Sequence, residues 1–280
     1  YNGDVVMIKT QVLVIGSGPG GYTAAFRAAD LGKDVTLIER HESLGGVCLN
    51  VGCIPSKSLL HTAEVINESK HASELGVTFS KPKIDLKGVK QNKDSIVNKL
   101  TGGIQALAKA RKVNVINGYG KFISKNQVAL DGSDEVIEFE QCIISVGSRV
   151  TKFPMFPFED ERVMDSTDAL LLDDIPKRML VVGGGIIGLE MATIYDALGS
   201  EITIVELGGQ IIPAADKDIV NPLFKKAKKN YANVFLNTKV TSMSTLKKGI
   251  KVEFEGKDAP KNDTFDKVLV AVGRTPNGNL

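Results

Sequence analysis

Two cysteines, Cys48 and Cys53, stand five positions apart in the segment CLNVGCIPSK, within a chain of 280 residues that contains only three cysteines. Such a pair can form a structural disulfide, supply half of a metal site or act as a redox dithiol. Residues i and i+5 of a regular helix have Cα atoms roughly 8–9 Å apart, whereas a disulfide needs about 7 Å or less. If the two bond, the backbone between them is not regular helix, and Gly52 supplies the freedom for a bend.

The composition is that of an ordinary globular protein, with 42% hydrophobic residues, 24% charged residues and a formal net charge of +2. This balance predicts no broad electrostatic surface for nucleic acid or an anionic membrane. The basic run KKAKK at 225–229 is interpreted as a solvated helix face. No apolar window is long enough for a transmembrane helix, and the first residues lack the pattern of a signal peptide. The low cysteine content excludes a disulfide-stabilised secreted scaffold and fits a reducing compartment.

An internal repeat organises the chain. Residues 11–40 have the order apolar strand, glycine-rich turn, alanine-rich helix and apolar strand, and residues 178–207 repeat that order. Each turn fits G-x-G-x-x-G, and an acidic residue ends the second strand 23 positions after the first glycine. These residues are Gly16, Gly18, Gly21 and Glu39 in the first copy and Gly183, Gly185, Gly188 and Glu206 in the second. The repeat predicts an α/β protein with two tandem Rossmann-like dinucleotide-binding domains.

Each feature of this pattern has a physical cause. The first glycine permits a tight turn, the second lets a pyrophosphate approach the backbone, and the third lets the helix pack closely against the strand. The phosphates then lie at free N–H groups and the positive end of the helix dipole. The carboxylate accepts hydrogen bonds from a ribose. One such turn could serve packing alone, but two copies in register indicate nucleotide binding.

The segments between and after the repeats have weaker patterns. Amphipathic spacing predicts a helix over 85–110, with a possible break at Gly102-Gly103. Short apolar runs separated by turn signals predict a small antiparallel meander at 113–148 and a second strand-rich stretch at 234–256. The proline- and aromatic-rich stretch 151–160 is expected to mark the crossing between domains.

Four motifs together resemble those of the flavoprotein disulfide reductases. LGGVCLNVGCIPSK resembles the active-site segment of this family and is closest to its members that oxidise dihydrolipoamide. IISVGS at 143–148 is similar to the strand that returns the chain past the flavin, GGGIIGLE to the NAD turn, and AVGRTPN at 271–277 to the end-of-domain motif. The resemblance covers the chain from Lys9 to Leu280.

The resemblance implies the cofactors FAD and NAD. It implies an FAD-binding domain at 9–149, an NAD-binding domain at 150–273 and the start of a return to the FAD domain at 274–280. Glu206 favours the 2′-hydroxyl of NAD over the 2′-phosphate of NADP; glutathione reductase, an NADP-using relative, carries basic residues there. Further cofactor contacts are assigned by resemblance to Lys57, Gly118, Ser145, Gly147 and Gly273, and no metal site is expected.

The resemblance also implies the catalytic residues. Cys48 and Cys53 would form a redox disulfide, with Cys53 next to the flavin and Cys48 exchanging with substrate. Lys57 would be a cation beside the flavin and would pair with Glu190.

The implied reaction oxidises dihydrolipoamide, carried on lipoyl domains of a 2-oxoacid dehydrogenase complex, with NAD⁺ as acceptor. The full-length protein would be a homodimer in the cytoplasm or, alternatively, the mitochondrial matrix, with no nucleic-acid partner and no membrane insertion. Full-length relatives complete the FAD domain and add an interface domain that forms the dimer and supplies a His–Glu pair. We therefore expect that the chain as given, with the C-terminal dimerisation domain absent, does not complete the reaction alone. The missing initiator Met suggests a removed upstream segment, such as a lipoyl domain.

Other interpretations stay open. The chain could come from another flavin disulfide reductase, such as mercuric reductase, or be a non-catalytic fragment that binds nucleotides or the complex. A structural disulfide is a further alternative for the cysteine pair, and a zinc half-site lacks a second ligand pair. The histidines and the third cysteine are assigned surface or core roles: His41, His61, His71 and Cys142.

Overall fold

The protein is described by a computed structural model that covers residues 6–279. Chain contacts divide it into two compact units, one of residues up to 55, 94–149 and from 275, the other of 56–93 and 150–274. The second unit thus includes 56–93, which the predicted FAD-binding range contains. The predicted domain ranges stay predictions.

Helices and strands alternate through most of the described chain. The helices are α1 (Pro19–Asp30), α2 (Gly46–Val51), α3 (Cys53–His71), α4 (Leu86–Ala110), α5 (Ser166–Leu171), α6 (Ile186–Leu198) and α7 (Lys217–Asn230), with a 3-10 turn at Ala72–Leu75. The first strands are β1 (Val6–Ile15), β2 (Val35–Glu39), β3 (Asn114–Asn117), β4 (Gly120–Ser124), β5 (Gln127–Leu130), β6 (Glu135–Ile144), β7 (Ser148–Val150) and β8 (Val163–Met164). The later strands are β9 (Arg178–Val182), β10 (Glu201–Val205), β11 (Asn233–Phe235), β12 (Lys239–Leu246), β13 (Gly249–Glu255), β14 (Asn262–Phe265), β15 (Lys267–Val270) and β16 (Arg274–Pro276).

The first unit contains a six-stranded sheet in the order β3-β2-β1-β6-β5-β4. Strand β1 is parallel to both of its neighbours, and β2 is parallel to β3. All five residues of β2 are buried, as expected for a parallel strand that is covered on both faces. Because β1 and β2 run in the same direction, the first glycine turn and Glu39 emerge at the same edge of the sheet.

The second unit contains a parallel sheet in the order β11-β10-β9-β15-β8 and a separate antiparallel sheet of β12, β13 and β14. Side chains of β9 alternate between two cores. Met179 and Val181 contact the core that includes α5 and α6, whereas Leu180 and Val182 contact the core that includes the antiparallel sheet. The central strand is therefore covered on both faces, which explains its uninterrupted apolar sequence.

The predicted α/β class with two Rossmann-like units, each with antiparallel strands, is confirmed, with one difference in the first unit. Strands β4, β5 and β6 are antiparallel, but β6 also pairs in parallel with β1 and belongs to the main sheet. Residues 114–117 form a parallel strand beside β2 and are not part of the meander. The first meander is thus an extension of the parallel sheet, whereas the second unit has a separate one.

The predicted break at Gly102-Gly103 is wrong, because α4 runs without interruption from Leu86 to Ala110. A glycine inside a helix costs about 1 kcal/mol relative to alanine. Beyond the two glycines, Ile104 and Ala108 of the same helix pack against an apolar core of the first unit, and this packing offsets the cost. Both glycines are exposed, so local sequence preference was overridden by tertiary contacts.

Two buried side chains of the second unit donate hydrogen bonds to carbonyl groups in the last turn of α5. The helix ends at Leu171, and the residue after it, Leu172, has a left-handed conformation with φ +54°. The hydroxyl of Tyr195 donates to the carbonyl oxygen of Ala169 at 2.8 Å, and Nζ of Lys93 donates to that of Leu170 at 2.8 Å. Both side chains are buried, and burial raises the pKa of Tyr195 far above its usual value.

We expect Tyr195→Phe to lower the free energy of unfolding by about 1–3 kcal/mol, because a buried carbonyl loses its partner. Tyr231→Phe is the matched control, since its hydroxyl lies 3.1 Å from Thr193 Oγ1 in a half-buried position. Denaturant unfolding of both variants measures the difference. An equal loss of unfolding free energy in both variants would show that the buried Tyr195–Ala169 hydrogen bond stabilises the protein no more than the half-buried one.

Candidate functional site

The first glycine turn is built so that α1 begins directly above the end of β1. A Cβ at Gly21 would lie 1.7 Å from the carbonyl oxygen of Gly16, so a side chain there is excluded. Gly18 precedes the helix in extended conformation, and a Cβ on it would meet no atom of the described chain within 4 Å. The helix N-terminus therefore faces open space, a geometry that fits a pyrophosphate.

Glu39 lies beside this turn and is held by backbone donors. Its Oε2 accepts from the N–H of Ser17 at 2.9 Å and from the Ser17 hydroxyl at 2.6 Å. Its Oε1 accepts from the N–H of His41 at 2.9 Å. The residue is 6% exposed. Since each carboxylate oxygen has two lone pairs, Oε1 retains an acceptor position for a ligand hydroxyl.

A cleft of about 310 Å³ adjoins this carboxylate in the first unit. Among the residues that line it are Glu39, His41, Leu44 and Asn117. The lining combines apolar carbon with polar groups beside a nucleotide turn, as a nucleoside pocket requires. The first unit thus has both a turn whose geometry fits an anion and a neighbouring pocket.

The second unit repeats the arrangement. A Cβ at Gly188 would lie 2.2 Å from the carbonyl oxygen of Gly183, and one at Gly185 would meet no described atom within 4 Å. Glu206 accepts from the N–H of Gly184 at 2.6 Å and from that of Gly208 at 2.7 Å. This site fits a second dinucleotide.

Two large apolar side chains of the second unit are exposed, one next to the glycine turn and one next to Glu206 in the sequence. Ile186, the first residue of α6, is 61% exposed, and Leu207, which follows the acidic residue, is 71% exposed. These two side chains flank the second glycine turn and its acidic residue in the sequence.

The cysteine segment has the bend that the sequence predicted. Helix α2 carries Cys48 and ends at Val51, Gly52 is not helical, and Cys53 begins α3. A Cβ at Gly52 would lie 2.8 Å from the carbonyl oxygen of Val47, so glycine permits the chain to turn tightly against the backbone of α2.

The two cysteines differ in their surroundings. Cys48 is half-buried and Cys53 is exposed. Cys53 is the first residue of α3. That they pair with each other stays a prediction.

The predicted contact between Lys57 and Glu190 is present in the second unit, with Nζ and Oε1 2.5 Å apart. Lys57 has 61% of its side chain exposed and Glu190 21%. Solvent therefore reaches the lysine more readily than the carboxylate. Their catalytic roles stay predictions.

The other predicted cofactor residues have mainly backbone contacts. In the first unit, the N–H of Gly118 donates to the Glu39 carbonyl at 2.9 Å and that of Ser145 to the Ile15 carbonyl at 2.8 Å. These two positions therefore lie beside the turn and the acidic strand end. In the same unit the carbonyl of Gly147 accepts from the N–H of Asn277 at 3.0 Å.

Gly273 belongs to the second unit, where its carbonyl accepts from the N–H of Thr151 at 3.1 Å. The cofactor contacts of Gly118, Ser145, Gly147 and Gly273 stay predictions.

Sequence reasoning missed two side chains that hold these loops. The Asn50 amide donates to the carbonyls of Leu44 and Gly46 at 3.1 and 2.9 Å. Ser17 binds Glu39, and its only signal was a polar residue where the second repeat has Gly184.

The histidines and Cys142 occupy positions of the predicted kind. His41, His61 and His71 are exposed, and His41 also borders the cleft. Cys142 is half-buried against an apolar core. Within residues 6–279, no group of three or more His, Cys, Asp or Glu side chains could hold a metal ion. The described helices include none with the length and apolar content to cross a membrane.

Comparison with known proteins places these features in a family. The sequence model described as "Pyridine nucleotide-disulphide oxidoreductase" matches residues 10–280. A protein of Vibrio cholerae named dihydrolipoyl dehydrogenase is 54% identical over 276 residues, which are 98% of this chain and 58% of that protein. The chain therefore spans less than two thirds of that relative.

Two solved structures have a similar fold. LpdA of Mycobacterium tuberculosis superposes with a TM-score of 0.85 at 25% identity, over 96% of this chain and 60% of that one. The HOCl-induced flavoprotein disulfide reductase RclA of Escherichia coli superposes with a TM-score of 0.80 at 29% identity, over 95% of this chain and 57% of that one. With two nucleotide turns and a cysteine pair in its sequence, the chain belongs to the pyridine nucleotide-disulphide oxidoreductase family.

Proposed function

We propose that this chain carries the flavin, nicotinamide and dithiol sites of a dihydrolipoyl dehydrogenase, which oxidises dihydrolipoamide to lipoamide with NAD⁺ as acceptor. One observation carries the proposal: the cysteine helix starts against the first nucleotide turn. A Cβ at Gly46, the first residue of α2, would lie 2.6 Å from Cα of Gly18. The dithiol segment is therefore packed on the turn assigned to FAD.

The chain's own residues fit both cofactors. Gly16, Gly18, Gly21 and Glu39 would hold the ADP half of FAD, and Gly183, Gly185, Gly188 and Glu206 would hold NAD. When bound, the flavin supplies a two-electron relay between a dithiol and a nicotinamide. The negative charge of Glu206 disfavours a 2′-phosphate, so NAD is the proposed nicotinamide cofactor.

The cysteines exchange thiols with the substrate. One thiolate of dihydrolipoamide attacks Sγ of Cys48 in a Cys48–Cys53 disulfide, which forms a mixed disulfide and releases the Cys53 thiolate. The second substrate thiol attacks its own sulfur of the mixed disulfide, which closes lipoamide and releases Cys48. Two protons leave the substrate, and the cysteine pair retains the two electrons.

Lys57 is four residues beyond Cys53 in the sequence, and its ammonium group contacts the carboxylate of Glu190 in the second unit. The carboxylate of Glu190 fixes the position of that cation. As the family resemblance implies, this lysine would lie beside the bound flavin and stabilise negative charge there without being consumed in the reaction.

The substrate on a lipoyl domain, the homodimer and a cytoplasmic location are proposed for the whole protein, with the mitochondrial matrix as the alternative location. The relative from Vibrio cholerae that is named dihydrolipoyl dehydrogenase supports this choice over mercuric reductase. Turnover of dihydrolipoamide with NAD⁺ by the whole protein tests the proposal, and reduction of Hg²⁺ without such turnover would overturn it.

We expect the two cysteines to give different spectra in FAD-loaded protein. Replacement of Cys48 by Ser leaves a Cys53 thiolate beside the flavin, so a long-wavelength charge-transfer absorbance should be present without reduction. Cys53→Ser should lack the band even after titration with dithionite. Absorbance spectra measure both variants, and a band in Cys53→Ser but not in Cys48→Ser would reverse the assigned roles.

We expect the two acidic residues to act on different cofactors. Both oxygens of each carboxylate accept backbone N–H groups, so a glutamine must turn its NH₂ toward a donor. Glu206→Gln should weaken NAD binding about tenfold or more and leave FAD binding unchanged, whereas Glu39→Gln should do the reverse. Calorimetric titration with each nucleotide measures both effects. A loss of both affinities in either variant would contradict separate sites.

Cys142 should be the least reactive of the three cysteines. Burial raises the pKa of its thiol to about 11, so on the order of one thousandth is thiolate at pH 8. After reduction with dithiothreitol, iodoacetamide at pH 8 should modify Cys48 and Cys53 well before Cys142, and raising the pH toward 11 should speed modification of Cys142. Peptide mass spectrometry follows the rates, and unfolded protein, in which all three react alike, is the control.

A further inference from the structure

The two nucleotide turns differ in the residue that follows the first glycine. It is Ser17 in the first unit and Gly184 in the second. In both units its backbone N–H donates to the acidic residue, at 2.9 Å to Glu39 and at 2.6 Å to Glu206. Only the first unit has a side chain at this position, and Ser17 is completely buried.

The Ser17 hydroxyl joins two parts of the first unit. It donates to Oε2 of Glu39 at 2.6 Å, a short charge-assisted bond in a site without solvent. The same oxygen accepts from the N–H of Gly45 at 3.3 Å, and the Ser17 carbonyl accepts from that N–H at 3.0 Å. One side chain therefore contacts both the carboxylate of the turn and the loop that follows β2.

Gly45 is the residue from which the cysteine helix starts. It caps α2 with φ +105°, and the next residue, Gly46, packs against Gly18 of the turn. Cys48 follows two positions later. Any shift of the Gly45 amide would therefore move the N-terminus of the helix that carries Cys48.

The second unit has the same backbone link without the side chain. Ile212 stands six positions after Glu206, as Gly45 stands six after Glu39, and its N–H donates to the Gly184 carbonyl at 2.9 Å. A Cβ on Gly184 would lie 3.1 Å from Cβ of Glu206 and from Cγ2 of Ile211. The loop thus folds without a hydroxyl where no cysteine helix follows, so the fold itself does not require the serine.

We infer that Ser17 is a positioning residue: its hydroxyl holds the Glu39 carboxylate for the flavin nucleotide and, through Gly45, fixes the start of the cysteine helix on the same turn. This inference rests on the proposed function for its ligand. Its geometric content, the anchoring of Gly45 by Ser17, concerns this chain's own residues.

The test compares Ser17→Ala and Ser17→Gly with the control Ser43→Ala in the purified full chain. Ser17→Gly places in the first turn the residue that stands at the same position of the second turn. It is therefore expected to fold even if Ser17→Ala does not. Ser43 is a half-buried residue of the same loop, and its hydroxyl donates to the Leu44 carbonyl at 3.4 Å, away from Glu39. Hydrogen exchange followed by mass spectrometry compares residues 43–50 with the equivalent loop, 207–213.

Both Ser17 variants should exchange amides of 43–50 faster, on the order of tenfold, with 207–213 unchanged and with Ser43→Ala like the wild type. Titration with FAD, followed by flavin fluorescence, should show affinity weakened by a similar factor, while NAD affinity stays the same. Unchanged exchange in 43–50, or equally faster exchange in both loops, would overturn the inference. A wild-type chain that binds no FAD would overturn the proposed function instead, and exchange would still decide whether Ser17 holds Gly45.

Discussion

The contact between the third and the first glycine of each turn is the constraint on which both nucleotide sites depend. A Cβ at Gly21 or Gly188 would overlap the carbonyl oxygen of Gly16 or Gly183. Only without side chains can the helix start this close to the end of the strand. That approach directs the free N–H groups of the helix into open space, and the anion site follows from the packing.

The acidic residue at the end of the second strand has a structural task in addition to its proposed role in ligand recognition. Glu39 and Glu206 each accept an N–H from the glycine turn and another from two residues beyond themselves. A carboxylate bound in this way connects two neighbouring strand ends. It also has a defined orientation without a ligand, so binding a ribose, as proposed, would cost less conformational entropy.

Sequence reasoning gave the parts that depend on local periodicity and residue type. The doubled turn, the acidic residues and the bend at Gly52 follow from glycine spacing and helix geometry. What it missed depends on tertiary contacts: α4 continues through Gly102 and Gly103 because of its packing, and 114–117 is a parallel strand because β2 offers a free edge. The role of Ser17 needs the distance to Gly45, which no local pattern contains.

The loops that follow the two acidic residues have the same backbone link to the glycine turn but continue into different structures. Both place a residue of positive φ six positions after the glutamate, Gly45 at +105° and Ile212 at +46°. A β-branched residue is unusual in that region, yet Ile212 contributes to the apolar core of the second unit. Glycine is required in the first unit because a Cβ at Gly45 would lie 2.7 Å from Cβ of Leu49 in α2, and one at Gly46 would lie 2.6 Å from Cα of Gly18. The cysteine helix therefore follows only the first copy of the repeat in the described chain, while both turns keep the same contact between their third and first glycines.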